Sequence, residues 1–195
     1  MDQWLALVAF SIVSSGSPGP NNVLLWASGA AFGFRAAIPH IVGTALGIGV
    51  LALIAAAGLA AIVSAVPALA VGMKIAASAY LLYLAWQVAG AHGLKRGELA
   101  RPMSVVQAAA FQAINPKGWI FALGAIAAFR PADLPVVPGS LLVAATMTAI
   151  VIPTAALWAA VGGWLGRLLE RERSRRVVSL VLAVVIAVSV VAIWR

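Results

Sequence analysis

The sequence predicts an all-α integral membrane protein. It would have six transmembrane helices forming two inverted three-helix repeats, with helices 1 and 4 broken at mid-membrane. Three observations predict this. The first is composition: the 195 residues are 64% hydrophobic and only 9% charged, with mean hydropathy +1.06, whereas soluble domains are about 45–50% apolar and about 25% charged. The second is spacing: six apolar stretches follow one another, several long enough for the roughly 20 residues a spanning helix needs. The third is a pair of polar breaks, Ser17-Pro18-Gly19-Pro20-Asn21-Asn22 and Asn115-Pro116-Lys117-Gly118. Each interrupts one of those stretches, in opposite halves of the chain.

The elements follow in order. The first span runs from about Trp4 to Phe34, long because it is interrupted. Asp2 and the absence of flanking Lys or Arg argue against a signal peptide, so residues 1–34 read as a retained membrane segment. The second span covers about Ile38 to Val63 and the third about Ala68 to Ala91, with Pro39 and Pro67 suited to their first turns. The fourth, about Val105 to Phe129, contains the second break. Pro131, Pro135, Pro138 and Gly139 fill the loop before the fifth, about Leu141 to Leu165, where Pro153 reads as a kink. The sixth runs from about Val177 to Trp194. The whole chain, 1–195, is one transmembrane domain, with repeats at about 1–97 and 102–195.

Charge orients the spans. Arg35, Lys95, Arg96, Arg101, Arg167, Arg171, Arg173, Arg175 and Arg176 fall on one side. Arg130 and Arg195 fall on the other, with Asp2 and Asp133. Cytoplasmic loops carry the excess of Lys and Arg, so both termini are expected outside. The net charge of +8 is therefore topogenic, with membrane lipid rather than nucleic acid as its surroundings. Three spans per half make the second half enter from the opposite side, the pattern of inverted repeats in many secondary transporters.

The breaks carry the functional reading. Two prolines and a glycine cannot continue a helix, and unpaired backbone at membrane depth is tolerated where it lines a cavity. Pro18 lies roughly 20 Å from Trp4 and Pro116 roughly 17 Å from Val105 at helical rise, near the middle of a core about 30 Å thick. Ser17-Pro18 and Asn115-Pro116 read as helix starts, each with an N-cap and a proline at the first helical position. Their free N–H groups suit an anion such as a carboxylate. Lys117 costs about 2.5–3.5 kcal/mol at a helix centre on the insertion scale. It could hold that carboxylate or exchange a proton during transport. Lys74 can snorkel outward from the third span.

No Asp or Glu lies within a span. A substrate amine would then rest on carbonyls, Asn21, Asn22, Gln112, Tyr80 or Tyr83. His40 and His92 read as interfacial, while Gly43, Thr44 and Gly47 read as a close-packing face. Trp4, Trp164 and Trp194 read as interfacial anchors. The absence of cysteine excludes disulfides and thiol chemistry. With no intramembrane carboxylate or histidine cluster, neither a metal site nor an enzyme is expected, and no cofactor is called for. The alternatives are a non-transporting membrane scaffold or assembly subunit, which would not need polar breaks at matched depths, and an exporter of another small metabolite. Glycine-rich faces permit a homodimer.

The motifs together resemble a known family. Ser17-Pro18-Gly19-Pro20-Asn21-Asn22, Gly33-Phe34-Arg35, Gly43 and Gly47, the run Lys74 to Trp86 with Tyr80-Leu81-Leu82-Tyr83-Leu84, and Asn115-Pro116-Lys117 are similar to the LysE/RhtB amino-acid exporters. The resemblance spans nearly the whole chain and implies six helices in a bacterial inner membrane. It implies efflux of small, mostly neutral amino acids or their derivatives by proton antiport. The form of the first motif and the chain length are similar to the cysteine/O-acetylserine branch, and homoserine, threonine and leucine exporters share the core motif. Lysine exporters of the family carry an acidic residue in the second span, and none stands here. The site this implies is Ser17, Pro18, Gly19, Pro20, Asn21, Asn22, Gln112, Asn115, Pro116, Lys117 and Tyr80, with the two halves rocking around it.

Overall fold

A computed structural model describes residues 2–58 and 102–168, together with helical positions 68, 71–72, 74–75, 78–79, 82–83, 85–86, 180, 183–184, 187–188 and 190–191. Among the described residues the protein is all-helical. Tyr80, Pro67, His92 and the basic positions 95, 96, 101 and 171–176 lie outside them.

The first apolar stretch is two helices. α1 spans Asp2–Gly16 and α2 spans Pro20–Phe32, separated by Ser17, Pro18 and Gly19. α2 therefore begins two residues later than Ser17-Pro18 predicts. Gly19 is its N-cap, in extended conformation, and Pro20 holds the first helical position. With prolines at both 18 and 20, the second sets the start, because the residue before a proline is pushed out of the helical region. Gly33 alone separates α2 from α3, Phe34–Ala56. Its φ of +85° suits glycine, and its N–H caps α2 by donating to the Gly29 carbonyl at 2.9 Å. Arg35 thus sits in the first turn of α3, exposed, and Pro39 lies inside the helix rather than in its first turn.

α4 (Val105–Ile114) opens with a reciprocal cap. The Gln107 N–H donates to Ser104 Oγ at 3.2 Å, and the Ser104 N–H donates to Gln107 Oε1 at 3.0 Å. Asn115 ends α4 and holds the N-cap position of α5, Pro116–Phe129, without a side-chain cap bond, and Pro116 takes the first helical position as the sequence predicts. α6 is one helix of 33 residues, Val136–Leu168, about 50 Å at helical rise. Pro138 and Gly139 belong to it rather than to the preceding loop. A proline in the first turn loses no bond, because those N–H groups have no helical acceptor. The helix continues through Pro153.

Backbone-close contacts tie the bundle together. A Cβ at Gly29 would lie 2.0 Å from the Ala159 carbonyl oxygen, and one at Gly162 would lie 2.0 Å from the Trp26 carbonyl oxygen. These positions join α2 to α6. Gly43 and Gly47 bring α3 onto α4, where a Cβ would meet the Val105 and Ala109 carbonyl oxygens at 2.3 and 2.9 Å. Leu25, Val143 and Met147 are fully buried in the core between these helices. Phe10 of α1 packs against Phe121 and Phe129 of α5, with ring centroids 5.7 and 5.3 Å apart.

The outside of the bundle is apolar. Ile38, Val42, Leu46, Val50 and Leu53 form an exposed stripe along α3, a face that suits lipid and not water. Trp4 and Trp164 are exposed as well. Phe34–Ala56 and Val136–Gly166 are each long and apolar enough to cross a membrane. The shorter helices reach such lengths only in tandem, α1 with α2 and α4 with α5.

Candidate functional site

The two breaks meet. Between them lies a small cleft, about 30 Å³ in volume, to which α1 to α6 all contribute. Gly19, Asn21, Asn22, Gln112, Asn115 and Lys117 line it, as do Ser14, Ser15, Thr44, Gly118, Phe121 and Thr154. Pro20 is buried at the start of α2, Pro116 starts α5, and Pro18 is exposed. Ser17 contributes its carbonyl rather than its side chain.

Lys117 bridges the breaks across 100 residues of sequence. From the first turn of α5 its Nζ donates to the Ser17 carbonyl and, at 3.4 Å, to the Pro18 carbonyl. Gly19 makes room for it, since a Cβ there would lie 2.6 Å from Lys117 Cδ. Asn22 Nδ2 holds the same break from the other side. It donates to the carbonyls of Ser15 and Ser17, both at 2.7 Å. Backbone that would be unsatisfied in an apolar surrounding is thus partnered by two side chains.

A chain of amides crosses the cleft wall. Thr44 Oγ1 and Gln112 Nε2 both donate to Asn21 Oδ1, at 3.2 and 2.8 Å. Gln112 Nε2 also donates to the Ala108 carbonyl at 3.3 Å, and Gln112 Oε1 accepts from Asn115 Nδ2 at 2.9 Å. Asn21, Thr44, Gln112 and Asn115 are all buried. A fully linked network of this kind fixes its members in one arrangement.

Each half-helix start also offers backbone donors. Val23 N–H returns to the Gly19 carbonyl and Trp119 N–H to the Asn115 carbonyl. The N–H groups of Asn21 and Asn22, and of Lys117 and Gly118, precede the first helical bonds. With the Lys117 ammonium they make the cleft rich in donors. No Asp or Glu is among its lining residues, and no group of His, Asp and Glu among the described residues could hold a metal.

Sequence reasoning missed Ser14, Ser15 and Thr154, and it assigned Thr44 to packing. Thr154 Oγ1 donates to Ser15 Oγ at 2.9 Å, joining α6 to α1. A signal was present: Ser14 and Ser15 are polar residues one turn before a break, and Thr154 follows a proline inside an apolar helix. His40 corrects the sequence reading. It is fully buried in α3, packed within the protein rather than facing its surroundings, and neither ring nitrogen has a partner.

A polar cleft enclosed by two broken apolar helices is the build of a membrane transporter. The LysE type translocator family matches residues 12–193, and the chain belongs to that family. The cysteine/O-acetylserine efflux proteins of Escherichia coli (strain K12) and Shigella sonnei (strain Ss046) are each 28% identical to it over 124 residues. That of Escherichia coli O1:K1 / APEC is 27% identical over 124 residues. The match covers 64% of this chain and 64% of theirs, so the chain spans under two thirds of the length of these curated relatives. No solved structure matches.

Proposed function

We propose that the protein exports small, mostly neutral amino acids or their derivatives across the bacterial inner membrane, by antiport against protons. One observation carries this: a single ammonium and two half-helix starts converge on a cleft that no carboxylate lines. A substrate carboxylate would bind at Lys117 and the free N–H groups, in the manner of anions at helix N-termini. The names of the cysteine/O-acetylserine efflux relatives support small neutral substrates of that kind.

The proposed architecture is two inverted repeats of three spans, with both termini outside and both breaks at mid-membrane. The packing supports it. When Pro20 is laid on Pro116, α1, α2 and α3 correspond to α4, α5 and α6. The pairing of α1 and α2 with α6 then mirrors that of α4 and α5 with α3. The surroundings are membrane lipid. A homodimer would have to use the lipid-facing surface, because Gly29, Gly43, Gly47 and Gly162 are engaged within the chain.

The test is export from cells with and without the protein, using labelled cysteine, O-acetylserine, homoserine, threonine, leucine and lysine. Faster loss of one or a few neutral members, abolished by collapsing the proton gradient, is the expected result. Equal loss of every member, with the protein present in the membrane, refutes the reading.

A further inference from the structure

We infer that Asn115 Oδ1 is the group that reads the substrate's ammonium, and so selects amino acids over carboxylic acids that lack the amine. The inference rests on the exporter reading above. Asn115 belongs to the cleft wall, is 3% exposed, and its Oδ1 has no hydrogen-bond partner. A buried acceptor without a donor costs stability, and every other amide oxygen of the wall network is satisfied.

The orientation of this amide follows from a backbone group. The Ala108 carbonyl can only accept, so the NH₂ of Gln112 must face it. Gln112 Oε1 then faces Asn115, which must present Nδ2. That leaves Oδ1 as the free end of the chain. Rotating Asn115 would set two carbonyl oxygens against each other, so the acceptor is held in place before any substrate arrives. The cleft also offers donors: Lys117 Nζ and the half-helix N–H groups. An α-amino acid carries its carboxylate and its ammonium on one carbon. The carboxylate meets the donors while the ammonium meets the acceptor held in place at Asn115. A charged donor makes the stronger kind of hydrogen bond.

The experiment uses the full chain in proteoliposomes. Uptake of labelled O-acetyl-L-serine is competed by unlabelled O-acetyl-L-serine and by 3-acetoxypropionate, which keeps the ester and the carboxylate but lacks the amine. The ratio of the two half-inhibition concentrations does not depend on how much protein is active. The wild type should prefer the amine by roughly 10- to 150-fold, the range for a hydrogen bond to a charged group. Asn115→Leu should bring the ratio close to one. Asn115→Asp keeps an acceptor and adds charge; with the Gln112 amide turned so that its NH₂ faces the second carboxylate oxygen, it should raise the ratio above wild type, and it serves where the leucine variant does not fold. A wild-type ratio in either variant overturns the inference while leaving the exporter reading intact. No carrier-dependent uptake of O-acetyl-L-serine or of any other labelled amino acid by the wild type overturns both.

Discussion

Lys117→Met separates what the ammonium does for the fold from what it does for transport. Methionine keeps an unbranched side chain of similar reach and removes the charge. The fold should tolerate the change. The Ser17 carbonyl keeps its 2.7 Å bond from Asn22 Nδ2, and Pro18 is exposed, so no buried acceptor is orphaned. The expected change in stability is within about 1 kcal/mol, the net worth of an ordinary hydrogen bond. Membrane insertion should improve, because a lysine at the centre of a membrane span costs about 2.5–3.5 kcal/mol and the proposed depth of the break puts Lys117 near it. Transport should fail for a different reason. Losing a hydrogen bond to a charged group costs about 1.5–3 kcal/mol, a roughly 10- to 150-fold weaker hold on the carboxylate. The assay is O-acetyl-L-serine uptake into proteoliposomes over a concentration series, with the melting temperature of the same preparation measured alongside. A KM within about threefold of wild type, at unchanged melting temperature, would show that the ammonium only props the break open.

Two further perturbations test the packing. Gly162→Ala should lower the melting temperature and the yield of folded protein, because its Cβ would lie 2.0 Å from the Trp26 carbonyl oxygen and overpacking costs about 1–3 kcal/mol. Gly16→Ala, at the end of α1 with nothing within 4 Å of the new Cβ, should be neutral or stabilising by up to about 1 kcal/mol; equal losses at both positions would refute the close approach of α2 and α6. His40→Leu removes two unpartnered buried nitrogens and should leave the melting temperature unchanged or higher with export retained, whereas a clear loss of stability would mean that the imidazole has partners.

The breaks were legible because proline and glycine act locally. Pro116 starts α5 where expected, and Pro20 rather than Pro18 starts α2 only because two prolines compete within three residues. Lys117 and Asn21 could be named in advance because polar residues inside apolar spans need a reason. What the sequence could not carry was partnership across long separations. That Lys117 reaches Ser17, or that Gln112 links Asn21 to Asn115, depends on how six helices pack. Thr44 sits between Gly43 and Gly47, so it read as part of a packing face. Those glycines do pack, on α4, while Thr44 points to Asn21 one residue further round the helix. The burial of His40 was not legible, because which face of α3 turns inward depends on packing, and α3 starts at Phe34, four residues before the expected span. Pro138 looked like loop for a related reason: a first-turn proline and a loop proline are alike in sequence.

The packing also bears on which parts can move. Rocking one proposed repeat against the other would separate close helix contacts among the described residues, because the glycines at 29 and 162 join α2 to α6, and those at 43 and 47 join α3 to α4. Each of these pairs takes one helix from each repeat. α1 and α5 are held differently. α1 meets α6 through side-chain hydrogen bonds, Thr154 to Ser15 and Trp158 to the Gly16 carbonyl. Gly118 brings α5 against the tips of Leu51 and Ile48 rather than backbone. The two half-helices touch each other through Phe10, Phe121 and Phe129, and each ends at a break able to absorb a change in backbone angles. α1 and α5 should therefore move together while α2, α3, α4 and α6 stay fixed. The chain has no cysteine, so pairs of spin labels can be placed cleanly at exposed positions. On adding O-acetyl-L-serine, the distances Val13–Leu157 and Ile120–Val50 should shift, and Val42–Leu157, from α3 to α6, should not. A shift of Val42–Leu157 as large as the other two would mean that the repeats rock as rigid bodies despite their glycine contacts.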